Sequence, residues 1–306
     1  MARRIRKFVD RAFARTVDLD LLKRFLDPYQ TRIGFDWQGP YETEDDLREA
    51  VFELFCAADG RFPSKLQFAL FNISTLSTDA GANLLVAHAH ERGVVLAPRE
   101  ACEGEQDSRR LNPRHLALLA YLNHRDIFDR ALDAAAFLAH SSKHELSGRQ
   151  EGVVPSEEAT AGRSFRDAIS AYFVKRYQGR YCDVRWYSED GISRALVLHG
   201  SSASTKNVDL DGEEDSLTYR EIVQDTIEYD AERGMIAIGA HAMPDARKLA
   251  TLFAEHLLGD IGFFGGENAE NLYSLEEVNR LGVRFKCHHD WDPDVADVRI
   301  REVQVD

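Results

Sequence analysis

Cysteine is scarce in this chain: four in 306 residues, Cys56, Cys102, Cys182 and Cys287, each standing alone. Without a Cys-x-x-Cys pair there is no basis for a zinc knuckle or a disulfide scaffold, and reduced thiols in a cytoplasmic setting are expected. No stretch approaches the roughly 18 apolar residues of a membrane span, so no membrane partner is expected. A Gly-x-Ser-x-Gly elbow is missing, and so is the Gly-x-x-x-x-Gly-Lys-Ser/Thr of a phosphate loop. There is no internal repeat and no low-complexity tract. The opening, residues 1–17, is basic but lacks the apolar core of a secretory signal. An Arg-rich transit peptide is set aside, because Asp10 interrupts the stretch and serine is absent from it.

What is present is charge, unevenly spread. The formal net charge is -14. Residues 1–35 hold nine Lys/Arg against four Asp/Glu, residues 36–60 one against eight, and residues 201–306 ten against twenty-three. A chain this acidic does not attract nucleic acid through its average field, so any such contact requires a local basic patch. Hydrophobic residues make up 44%, enough for packed cores. The length favours two domains.

Local patterns divide the chain in two. Residues 18–27 read as a short amphipathic helix stopped by Pro28. Thr43 caps a helix over 44–58 with Leu47, Val51, Leu54 and Phe55 on one stripe. Residues 65–74 alternate like a strand at Leu66, Phe68 and Leu70, yet the run is too short to decide. Helices are predicted over 78–92, from Asn112-Pro113 to Leu122, and over 125–139 with Ile127, Ala131, Ala134, Ala135 and Leu138 buried. The polar stretch 141–162, carrying Gly148, Gly152, Pro155 and Gly162, reads as a linker. Beyond it, Ser164 caps a helix closed by Gly179. Strands 181–188 and 192–199 flank the turn signal Asp190-Gly191, and 222–230 pairs with 234–241. Pro244 opens a helix that Gly259 ends, Ser274 and Glu277 form a capping box, and 298–305 returns as a strand with a bulge near Arg301. With Asp306 following that strand directly, a sequence cut short at its end is expected. The expected fold class is α+β: a helical domain 1–140, a linker 141–162, and a mixed domain of β-hairpins with packed helices over 163–306. The hairpin-then-helix order ending Leu257-Leu258-Gly259-Asp260 resembles uncharacterised bacterial proteins, with no named family attached and no residue role carried over.

The stretch 163–187 interleaves cations with aromatic rings. Arg166, Lys175, Arg176, Arg180 and Arg185, with Tyr177, form the candidate nucleic-acid contact, since cations neutralise phosphates and rings stack on bases. The competing reading makes Tyr172 and Phe173 core and the cations the solvated side of a helix. The basic arm Arg3, Arg4, Arg6, Lys7, Arg11 and Arg15 suits nucleic acid or an acidic surface, including the acidic segment 36–60 of this chain. Asn207, Asp209, Asp211 and Gly212 follow calcium-loop spacing, but Thr218 stands where a glutamate is needed, so a disordered acidic loop is expected. Residues 199–206 could hold a phosphate only weakly, lacking a following helix. Cys287, His288, His289, Asp290, Asp292 and Asp294 are metal-capable, yet adjacent histidines diverge on a strand, as His88 and His90 diverge on a helix.

The leading expectation is a non-catalytic binding subunit of a bacterial multi-component assembly, of the defence or mobile-element kind, partnered by other protein subunits and by nucleic acid. One alternative is a metal-dependent nuclease or phosphoesterase using Asp225, Glu228, Asp230 and His241 or His288 and His289. Glu255 would be a further acid/base group. The other is a protein-binding adaptor whose 201–215 loop orders on a basic partner. No cofactor and no metal are expected.

Overall fold

The computed structural model describes residues 11–56, 62–96, 112–140, 142–189, 191–210, 213–266, 269–270, 280–282 and 285. The arm 1–10, the Ser274–Glu277 capping box, the cluster 287–294 and the strand 298–305 lie outside the described residues. The chain forms two compact units, 1–141 and 142–306, and the architecture is α+β.

Unit 1 is helical: α1 (Arg11–Thr16), α2 (Leu19–Leu26), a 3-10 turn (Asp27–Tyr29), α3 (Gln30–Ile33), α4 (Glu44–Cys56), α5 (Ser64–Leu76), α6 (Asp79–Glu91), α7 (Pro113–Asn123) and α8 (Arg125–Ala139). The caps match the sequence. Asp18 accepts from the Leu21 amide at 3.0 Å, and Asn112 from the Arg114 amide at 2.9 Å. Thr43 and Asp46 exchange backbone bonds as a capping box. Residues 65–74 are helical, not a strand: Leu66, Ala69, Leu70, Ile73 and Leu76 recur at helical spacing and are buried, while Phe68 is 65% exposed. In α8 the buried stripe is rotated from the expected one, with Phe128 and Ala136 inside and Leu138 68% exposed. The central element is α7, which packs against α1, α2, α5, α6 and α8. Arg11 and Arg15 of α1 meet Glu49 of α4 at 2.5 and 3.9 Å, so this part of the basic arm docks on the acidic segment. Below them the Arg48 guanidinium, 3% exposed, donates to the Ala14 and Val17 carbonyls at 2.8 and 2.7 Å and so closes the C-terminal end of α1.

Unit 2 contains β1 (His144–Ser147), α9 (Ala159–Lys175), β2 (Cys182–Glu189), β3 (Ile192–Gly200), β4 (Ser204–Leu210), β5 (Glu213–Tyr219), β6 (Ile222–Asp230), β7 (Met235–Gly239), α10 (Met243–Phe253) and a π turn (Ala254–Leu258). Five strands make an antiparallel sheet in the order β1-β7-β6-β3-β2. Ala195, Val197, Ile227, Tyr229, Ile236 and Ile238 alternate onto one face and pack with Phe165, Ile169 and Phe173 of α9 and Leu249, Leu252 and Phe253 of α10. Leu196, Leu198 and Thr226 are buried too, so β3 and β6 are covered on their second face.

Three expectations change here. The stretch 141–162 is not a bare linker, because β1 pairs with β7 and α9 begins at Ala159. Its turn packs closely on Gly234, at φ +63, where a side chain would meet the Gln150 carbonyl at 2.5 Å. Helix α9 starts five residues before Ser164, whose hydroxyl faces His256 Nδ1 at 3.0 Å instead of capping. The acidic loop 201–215 is a two-stranded ribbon, β4–β5, tied by Thr205–Thr218 hydroxyls at 2.9 Å and by Asn207 donating to Glu214 at 2.9 Å.

Candidate nucleic-acid interface

At its C-terminal end α9 closes with a Schellman pattern. The Gln178 amide reaches back to the Phe173 carbonyl at 3.0 Å, and the Tyr177 amide to Val174 at 3.0 Å. The residue that must turn left-handed there is normally glycine, yet it is Tyr177, at φ 60, the single non-glycine positive φ among the described residues. A β-carbon in that conformation costs roughly 1–2 kcal/mol. No burial offsets it, since the side chain is 82% exposed.

The turn below Tyr177 is firmly held. A side chain at Gly200 would collide with the Gln178 carbonyl, so glycine at the end of β3 permits the close approach. Arg220, between β5 and β6, donates to the Tyr177 carbonyl and, at 3.1 Å, to that of Ser201. Beneath lies His199, whose ring stacks on Phe173 at 3.5 Å and 7°. Its Nε2 meets Asp225 Oδ2 at 3.0 Å and its Nδ1 the Gly200 carbonyl at 2.9 Å. The ring bridges the Gly200 carbonyl and the Asp225 carboxyl, and the His199–Asp225 pair is buried beneath the turn. Phe173 and His199 thus seat the turn on the sheet, and the Tyr177 ring is presented from a fixed backbone.

The six candidate residues separate into three places. Lys175, Arg176, Tyr177 and Arg180 share the α9 turn. Lys175 and Arg180 are exposed and meet no carboxylate within ion-pair distance among the described residues. Arg176 is committed: its Nε lies 3.5 Å from Asp245 and its guanidinium 5.5 Å over Tyr172. Tyr172 in turn donates to Asp245 at 2.7 Å, joining α9 to the first turn of α10. Burial, then the bond to Asp245, pushes the Tyr172 hydroxyl up to about 12. Arg166 lies nine residues before Lys175, about half a turn round the helix axis from it, and pairs with Asp167 at 3.0 Å. Arg185 sits on the sheet face away from α9 and pairs with Asp183 at 3.3 Å. The rings divide likewise. Phe165 and Phe173 are core, Trp186 packs on Phe165 at 5.5 Å, and Tyr181 is 51% exposed beside Arg180.

Several of the other candidates are engaged elsewhere. Asp225 is 2% exposed and bound to His199. Asp230 accepts from the Arg233 amide at the far end of β6, and Glu228 pairs with Lys143 and Arg194. His88 meets Glu91 at 3.0 Å. Lys206, in the weak phosphate segment, lies over the Tyr219 ring at 5.3 Å. Among the described residues no group of three or more His, Cys, Asp and Glu side chains is gathered to hold a metal ion. Sequence reading passed over Arg220 and the role of Gly200. The one signal was position: an arginine at a strand boundary and a glycine ending a strand, neither informative until β3 is placed beside the α9 turn. No protein-family description matches the chain, and no curated protein matches it in sequence.

Proposed function

We propose that the protein is a non-catalytic binding subunit of a larger assembly, contacting single-stranded nucleic acid through the C-terminal turn of α9. Tyr177 stacks on a base, and Lys175 and Arg180 meet phosphates. The observation that carries this is Tyr177 itself. A residue kept in a conformation that favours glycine, with its ring in solvent, is costly to the fold and gains nothing from it, which is how a recognition residue behaves. The two cations beside it supply what stacking alone lacks, and the fixed turn lowers the ordering cost of binding. The set is smaller than the six residues expected from sequence, since Arg166, Arg176 and Arg185 already serve carboxylates.

The test is fluorescence anisotropy with a labelled single-stranded oligonucleotide at low salt. Joint replacement Lys175→Ala and Arg180→Ala should weaken binding at least about tenfold and flatten the salt dependence by about 1–2 in log–log slope. Joint replacement Arg166→Ala and Arg185→Ala should leave affinity nearly unchanged. No binding by the wild-type chain at low salt, or equal loss in both variants, would remove the proposal.

A further inference from the structure

A concave feature lies at the other end of α9, where the β2–β3 hairpin, the 153–158 strap and the π turn meet. Hydrogen bonds fix the strap. The Gly152 amide donates to Ala231 at 2.7 Å, the Tyr229 hydroxyl to Val153 at 2.8 Å, and the Ser156 amide to Leu257 at 2.8 Å. The π turn delivers that Leu257 carbonyl, and such turns recur at functional sites. These elements enclose a cavity of about 380 Å³, within the size range of small-molecule sites. Val154, Pro155 and Leu257 give apolar walls, the indole of Trp186 a further wall, and Glu157 and Glu158 the charge. Trp186 stays 40% exposed although it rests on Phe165, and Gly162 leaves space beside its ring nitrogen.

The chemistry of the lining selects the ligand. Glu157 and Glu158 line the cavity, the Glu158 carboxylate also accepting from the Thr160 hydroxyl at 3.2 Å, and among the described residues no lysine, arginine or histidine lines it. The α9 N-terminus contributes about half a positive charge, which does not cancel two full negative ones. A bare metal ion is a poor occupant, because no gathered set of three metal-binding side chains exists among the described residues. Apolar walls, an aromatic face and carboxylates together suit a cation that carries carbon. We propose that this cavity binds a small organic cation, an alkylammonium or guanidinium compound, with the charged head against Trp186 and Glu157–Glu158 and its methylenes against Val154 and Leu257.

The test is isothermal titration of the full chain with choline and with agmatine, and with acetate and inorganic phosphate as opposite-charge probes. Saturable binding of at least one cation, and none of either anion, is expected. Trp186→Leu and the pair Glu157→Gln with Glu158→Gln should each weaken it about tenfold or more. Both glutamates are exposed, so the glutamine pair keeps the fold even if Trp186→Leu does not, and thermal melts verify this. Absence of saturable heat with either cation, unchanged affinity in the glutamine pair, or preference for phosphate would overturn the proposal.

Discussion

Tyr172 and Cys182 show how one residue's surroundings set its chemistry. The Tyr172 hydroxyl is raised from 10.0 to about 12 by burial and by the Asp245 carboxylate. The folded chain therefore holds this proton more tightly than the unfolded one. The stability it contributes is complete below pH 10.0 and is lost as pH climbs to about 12. Denaturant melts at stepped alkaline pH should show Tyr172→Phe losing less stability across that window than the wild type, and parallel curves would refute the assignment. Burial likewise raises the Cys182 thiol to about 11, and it donates to the Arg166 carbonyl at 3.8 Å. A thiol that stays protonated is a poor nucleophile. At pH 8, iodoacetamide followed by mass spectrometry should label exposed Cys56 well before Cys182. Faster labelling of Cys182 would contradict this.

At the scale of elements, the His199–Asp225 pair joins β3 to β6 under the α9 turn. Removing one partner leaves a buried polar group of the other without its hydrogen bond, so Asp225→Ala should cost about 1–3 kcal/mol. Replacing both, His199→Leu with Asp225→Leu, should cost less than Asp225→Ala alone, because two apolar groups leave no buried polar atom unpaired. Urea unfolding of the variants decides it, and additive losses would show the two do not act as a pair. Elements were readable where local chemistry decided them. Thr43 and Asn112 capped as expected, and Gly191 turned the β2–β3 hairpin at φ +77. They were misread where distant partners decided them. β1 exists because β7 offers it an edge, and nothing in His144–Ser147 announces that. The ribbon β4–β5 is built from polar residues that pair across strands without a core, so its burial pattern carried no signal.

Over the whole molecule the net charge of -14 opposes polyanions, so a contact must be local and its strength must depend on salt. Of the six residues expected from sequence, Lys175, Tyr177 and Arg180 share one turn without a carboxylate partner among the described residues, and the other three pair with carboxylates. The mixture of rings and cations over 163–187 drew attention to α9, and composition could not say which cations were already neutralised. Asp245, the partner that claims Arg176, lies 69 positions downstream, and only the packing of α10 on α9 brings it near. In the proposed contact Tyr177 keeps a conformation suited to glycine for the sake of its ring, and Tyr177→Gly measures this directly. Urea unfolding should show the variant more stable by about 1 kcal/mol, while its affinity for a single-stranded oligonucleotide falls about fivefold or more. A variant that is both more stable and equally good at binding would contradict the account.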